Sequence, residues 1–296
     1  MITVMGATGN TGRKITAALL AAGEDVRALG RDRTKLAALA DAGAEVRAGD
    51  AGDPTFLAEA FRGADAVYAL LPVDLAAPDY HTHQSQVGEA TVASVRAAGV
   101  RHVVVLSSIG AEVPSGTGFI TSLHRQEARW RALADEGVVD VLLLRPGAFY
   151  ESFRAALPVI AQEGVNADAV APDVRIPMVA TADIAAAAAA ALVARDWQGV
   201  EVRELVGPRD LSYAEATSIL GTALGRPDLA YVQLPYGEMT QVLIGAGLSA
   251  DVARHAVEMA RAFNDGLIRT TGARRLDAPT PFEDVAAELA AAVPAA

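Results

Sequence analysis

Gly6-Ala7-Thr8-Gly9-Asn10-Thr11-Gly12 follows the short apolar run Ile2-Thr3-Val4-Met5 and opens an alanine- and leucine-rich segment that stops at Gly23. The order is strand, glycine-rich turn, helix. Such a turn removes side chains where the backbone must approach an anion, and it aims the amides and dipole of a helix N-terminus at that anion. The segment from Gly6 to Gly12 is therefore the expected pyrophosphate contact of a dinucleotide.

The alternation continues downstream. Strands are expected at 25–29, 44–48, 66–71, 102–107 and 141–144, and helices at 33–42, from Asp53-Pro54, at 84–98 and at 123–136. Pro54 suits a first helical turn. Strands that alternate with helices imply a doubly wound parallel sheet. After Phe149 the regularity weakens, with prolines at 158, 172 and 177. A helix from Asp183 to Arg195 has Thr181 and Asp183 as candidate caps. Residues 200–205 read as a strand returning to the main sheet, and 212–224 and 251–264 as helices of a smaller lobe. The expected division is a nucleotide-binding domain over 1–150, completed by parts of about 175–206, and a mainly helical substrate lobe over 151–296, interleaved with the sheet.

The end of the second strand discriminates between nucleotides, because NAD enzymes place an acidic residue there for the ribose 2′-hydroxyl whereas a 2′-phosphate needs cations. The sequence reads Gly30-Arg31-Asp32-Arg33-Thr34-Lys35. Arg31 is the expected 2′-phosphate partner, with Arg33 or Lys35 assisting, since guanidinium suits bidentate phosphate contact. Asp32 points the other way. Asp50, after the third strand, either reaches the adenine amino group or closes a turn. Leu70-Leu71-Pro72 is the expected lining of the adenine-ribose groove.

Composition narrows the classes. The 296 residues are 52% hydrophobic but only 5% aromatic, so the core is aliphatic. With no cysteine, a disulfide framework, a thiolate metal site and a cysteine nucleophile are all excluded. A formal charge of −11 without a basic run argues against nucleic acid. The longest apolar run, Ile184 to Ala194, is far short of the roughly 18 residues of a membrane span. A start directly in a strand shows no signal-peptide pattern. A cytoplasmic protein, monomeric or homodimeric, is the expectation.

Several ordered motifs resemble the NmrA-like branch of the atypical short-chain dehydrogenase/reductases. They are the turn at 6–12, Arg31 with Lys35, Leu144-Arg145-Pro146-Gly147-Ala148-Phe149-Tyr150-Glu151, Thr181-Ala182-Asp183-Ile184, and Gly207-Pro208 followed by Leu211-Ser212-Tyr213-Ala214-Glu215. The resemblance implies a Rossmann doubly wound sheet with a small C-terminal lobe. It also implies NADP(H) in the cleft, and Pro146, Gly147, Ala148 and Phe149 near the nicotinamide. The wider superfamily protonates its substrate with Tyr-x-x-x-Lys, but the chain has only two lysines, Lys14 and Lys35, and neither lies on the helix that carries that dyad.

Other groups stand where catalysis is expected. His124, at the start of the helix after the fifth strand, is the candidate proton donor because imidazole titrates near neutrality; its other reading is a helix-start surface residue. Ser107 either contacts cofactor and substrate or ends its strand. Tyr80, His81 and His83 are expected in the loop after the fourth strand, with Tyr80 toward the substrate and no third ligand that would make a metal site. Tyr150 and Phe153 either wall the pocket or form the core of the lobe. These features predict an NADPH-dependent reductase of a small carbonyl, quinone or imine-like acceptor. A non-catalytic NADP(H) sensor that binds a partner protein is the rival, and a natural-product tailoring reductase or isomerase the third reading.

Overall fold

The computed structural model describes residues 1–292. Its strands are β1 (Ile2–Val4), β2 (Val26–Gly30), β3 (Glu45–Ala48), β4 (Ala66–Ala69), β5 (His102–Leu106), β6 (Asp140–Pro146), β7 (Ala148–Phe149), β8 (Val165–Asp168), β9 (Met178–Val179), β10 (Val200–Val206), β11 (Ala230–Gln233) and β12 (Arg274–Asp277). The helices α1 (Asn10–Ala21), α2 (Arg33–Asp41), α3 (Pro54–Phe61), α4 (Tyr80–Ala98) and α5 (Ile120–Asp135) belong to the nucleotide half. They are followed by α6 (Leu157–Glu163), α7 (Thr181–Ala194), α8 (Tyr213–Ala223), α9 (Tyr236–Gly245), α10 (Ala250–Asn264) and α11 (Phe282–Ala291).

Eight strands pair in the order β12-β10-β6-β5-β4-β1-β2-β3, all parallel. The strand order reverses beside β1, which opens the crevice that a nucleotide occupies in such sheets. Strand side chains alternate between two covered faces. On β4, Ala66 and Tyr68 pack with α1, α2 and α7, whereas Val67 and Ala69 pack with α3, α4 and α5. The same parity splits Leu142 and Leu144 from Val141 and Leu143 on β6.

The strand expected at 200–205 does return to the main sheet, as β10 beside β6, and β12 extends the edge by one further strand. Outside the main sheet the chain forms the pairs β8–β11 and β7–β9 and a second core around Tyr150, Phe153, Ile160, Leu220, Phe263 and Phe282.

Two local expectations are corrected. Helix α4 begins four residues early because Asp79 accepts from Thr82 N at 3.0 Å and from the Thr82 hydroxyl at 2.7 Å. Tyr80, His81 and His83 therefore lie on a capped first turn rather than in a loop. Helix α7 begins after Ala180 and takes no cap from Thr181 or Asp183. Instead both carboxylate oxygens of Glu151 accept from Thr181 N at 3.0 Å, placing a remote negative charge at the helix N-terminus. Asp183 holds the C-terminal segment, accepting from the amide and hydroxyl of Thr280.

Candidate active site

The glycine turn is built by backbone contact. Gly6 adopts φ +60° and accepts from Gly9 N at 2.9 Å. A Cβ on Gly12 would lie 2.2 Å from the Gly6 carbonyl oxygen, so α1 can approach β1 this closely only with glycine there. The N-cap of α1 is Gly9, which supplies no side-chain hydrogen bond. The first-turn amides are thus left for a ligand, and an anionic pyrophosphate fits this cradle. Thr8 is half-buried, and Gly9 and Asn10 are exposed at its rim. Thr11 is buried and accepts from the Tyr68 hydroxyl at 3.0 Å, so its side chain anchors α1 to β4. Leu70 packs against Gly6, and Leu71 and Pro72 are half-buried beside it.

At the end of β2 the charges separate by role. Asp32 caps α2, accepting from Thr34 N at 2.8 Å and Lys35 N at 3.4 Å. Its carboxylate therefore has a local structural function and does not argue for a ribose 2′-hydroxyl. Arg31, Arg33 and Lys35 are exposed, and neighbouring Arg27 and Arg47 are the ones that pair, both with Glu45. Asp50 accepts from Gly52 N at 2.9 Å, which is the turn reading of that residue.

Where β5 and β6 end lies a buried network that the residue types alone did not reveal. The Ser107 hydroxyl donates to Glu127 Oε1 at 2.6 Å. Arg145 grips Glu127 with two donors, at 2.8 and 2.6 Å, and reaches Glu112 with a third at 3.0 Å. Burial works against the guanidinium charge, but hydrogen bonding to Glu127 and the charges of Glu127, Glu112 and Glu204 outweigh it, so the Arg145 pKa is raised. Ser107 is consequently turned toward this network. Beta-strand parity was the available signal: Val103, Val105 and Ser107 share a face with Val141, Leu143 and Arg145.

His124 lies on α5 with Nδ1 2.9 Å from the Ala111 carbonyl oxygen. A carbonyl only accepts, so Nδ1 carries the hydrogen and Nε2 is the end that can exchange a proton. Pro146, Gly147, Ala148 and Phe149 run along the same sheet edge, where Gly147 lies so close to Pro177 that a Cβ would meet its carbonyl oxygen at 2.4 Å. Lys14, beside the turn, donates to Glu151 at 3.1 Å and to Thr181 at 2.8 Å, tying α1 to α7.

The three aromatic candidates are packed inward. Tyr150 is fully buried against Phe282 in the lobe, with its hydroxyl pKa pushed up to about 12 by burial, and Phe153 stacks on Tyr213 and Phe282. Tyr80 is buried between Phe119 and His255. His81 bonds Ser122 at 2.7 Å and lies 4.1 Å from the His255 ring, joining α4 to α10. Among the described residues no group of three His, Asp or Glu side chains is arranged to hold a metal, and no helix is long and apolar enough to cross a membrane.

The family model described as NmrA-like matches residues 1–283. The chain belongs to the NmrA-like family. The (4-alkanoyl-5-oxo-2,5-dihydrofuran-3-yl)methyl phosphate reductase of Streptomyces griseus is 34% identical to it over 303 residues, covering 99% of each chain. The NADPH-dependent quinone oxidoreductase of Escherichia coli, solved with NADPH, has a TM-score of 0.81 at 24% identity, covering 98% of this chain and 99% of that one. The Citrobacter sp. triphenylmethane reductase, solved with NADP(H), has a TM-score of 0.79 at 23% identity, covering 98% and 100%. These two likenesses match the NmrA-like fold seen here.

Proposed function

We propose that the protein is an NADPH-dependent reductase that passes a hydride to a small conjugated carbonyl, quinone or imine-like acceptor without a Tyr-x-x-x-Lys dyad. The observation that carries this reading is the uncapped N-terminus of α1 behind a backbone-tight glycine turn, with Arg31, Arg33 and Lys35 exposed at the end of β2 while Asp32 is engaged in a cap. That the named relatives are reductases supports the reaction type. When bound, NADPH supplies the hydride, so that acceptor plus NADPH plus one proton gives reduced acceptor plus NADP+.

The chain's own contribution is binding, orientation and the proton. The α1 amides hold the pyrophosphate and Arg31 the 2′-phosphate. Arg145 and Glu127 brace the strand ends beneath the acceptor. Protonated His124 delivers its proton from Nε2 while Nδ1 stays on the Ala111 carbonyl. Quinone and iminium acceptors demand least of such a donor, which suits a site whose serine hydroxyl is committed to Glu127.

The test is to titrate purified protein with NADPH and NADH and follow NADPH oxidation over quinones, cyclic imines, aldehydes and unsaturated lactones. Turnover with preference for NADPH is expected. Tight NADPH binding with no turnover on any acceptor, together with nucleotide-dependent capture of a partner protein, would replace the reductase reading with the sensor reading. The engaged Ser107 hydroxyl is the observation that favours that second reading.

A further inference from the structure

The carbonyl that holds His124 belongs to the peptide bond between Ala111 and Glu112. A peptide unit is planar, so the Ala111 carbonyl points only where the plane shared by those two residues points. That plane is fixed from both sides. On one side Ala111 is buried, and its amide donates to the Ser108 carbonyl oxygen at 3.2 Å. On the other side Glu112 Oε2 accepts from Arg145 Nη1 at 3.0 Å.

The segment that carries this plane starts in the sheet and leaves it by a tight turn. Ser107 donates from its amide to the Leu144 carbonyl at 2.8 Å, and Ile109 from its amide to the Pro146 carbonyl at 3.1 Å, so the pairing with β6 continues past the end of β5. Gly110, at φ +83°, then turns the chain against Ile268, and the Val113 amide closes the turn on the Gly110 carbonyl at 3.1 Å. A positive φ and the close approach of Ile268 both favour glycine there. From the far side of the turn Glu112 reaches back to Arg145, on the strand where the pairing began.

Charge balance does not call for this contact. Glu127 is buried, takes two donors of Arg145, and by itself neutralises the guanidinium. Glu112 stands on an exposed turn, and a glutamate there gives up rotamer freedom to be held on a buried cation. What the contact does is tie the turn bearing the Ala111 carbonyl to β6. In histidine, the hydrogen bond made by one ring nitrogen decides which nitrogen is left to exchange a proton. We propose that Glu112 is a positioning residue: by clamping the 111–112 peptide onto Arg145 it aims the Ala111 carbonyl at His124 Nδ1 and so selects the tautomer whose Nε2 is open. The proposal rests on the reading of His124 as the proton donor, and adds what sets that donor's working end.

Nitrogen NMR of the full chain, labelled at its histidine rings, reads the tautomer apart from turnover. The chain has five histidines, and the His124 signals are those lost in His124→Gln. Well above the ordinary imidazole range of about pH 6.5, the parent ring is expected to carry its hydrogen on Nδ1. Glu112→Ala should lower the ratio of the Nδ1–H to the Nε2–H form about two- to tenfold, the worth of one hydrogen bond. Glu112→Gln, which keeps an acceptor for Arg145, should restore the parent ratio. Turnover should follow the same order in kcat, with acceptor KM and NADPH affinity, the latter as the check on folding, those of the parent. A parent ring with its hydrogen on Nε2, an unchanged ratio in Glu112→Ala, or a change in Glu112→Gln as large as in Glu112→Ala each overturn the proposal. A shifted ratio in a protein that oxidises NADPH with no acceptor would support the positioning role and count against the reductase reading alone.

Discussion

Arg145 and Arg31 sit at the ends of strands in the same sheet, and the protein treats them in opposite ways. The Arg145 side chain is 6% exposed and is held by Glu127 and Glu112, whereas Arg31 stands in water at the start of α2. A desolvated cation without partners is costly, so the buried guanidinium is part of the structure and is unavailable to a ligand. An exposed cation stays solvated at little cost and keeps its donors for a phosphate. Charge marks a binding site only where burial has not already consumed it.

The largest effect should come from breaking the buried pair. Arg145→Met is expected to lower unfolding free energy by about 3–5 kcal/mol, because Glu127 is left desolvated and unpaired. Arg145→Met with Glu127→Met should recover most of that loss in chemical denaturation. A single-variant loss below about 1 kcal/mol would erase the distinction between the two arginines.

Arg31→Ala should do the reverse. It is expected to weaken NADPH by about tenfold to a hundredfold, the value of charge-assisted hydrogen bonds, with NADH affinity little changed and stability within about 0.5 kcal/mol. Equal weakening of both nucleotides would remove its assignment to the 2′-phosphate.

Asp32→Ala sharpens the same point. Loss of the α2 cap should cost about 1 kcal/mol in thermal unfolding, with the NADPH to NADH affinity ratio unchanged. A shift in that ratio would mean that Asp32 acts on the cofactor directly.

His81 lies between the extremes. Partial burial, then the charges of His255 and Arg125, lower its pKa, with Glu258 and Asp251 opposing. The fold thus favours the neutral ring, and this contribution is complete above about pH 6.5 and erodes as pH falls toward the lowered value. Hydrogen exchange in α10 should therefore quicken on acidification in the parent and lose part of that dependence in His81→Gln. An identical pH profile in the variant would sink the role of His81 in the contact between α4 and α10.

Much of the nucleotide half is legible because its determinants are local. Gly6, Gly9 and Gly12 act through backbone geometry, Pro54 through its fixed φ, and the alternation of strand and helix through side-chain period. The start of α4 is not legible in the apolar period because Asp79 sets it, accepting from Thr82. The cap of α7 was not legible at all, since Glu151 lies 30 residues away along the chain.

The sequence by itself determined a parallel sheet with a glycine-rich turn after its first strand, a cationic second strand end, and a chain without the lysine of the usual dyad. Only the tertiary structure decided that Ser107 faces Glu127, that Tyr80, Tyr150 and Phe153 are packed into cores, and that α9 buries none of its side chains. The physical reason is the range of the interactions. Turn geometry and helix capping act over a few residues, whereas burial and charge pairing depend on which distant segments the folded chain brings into contact.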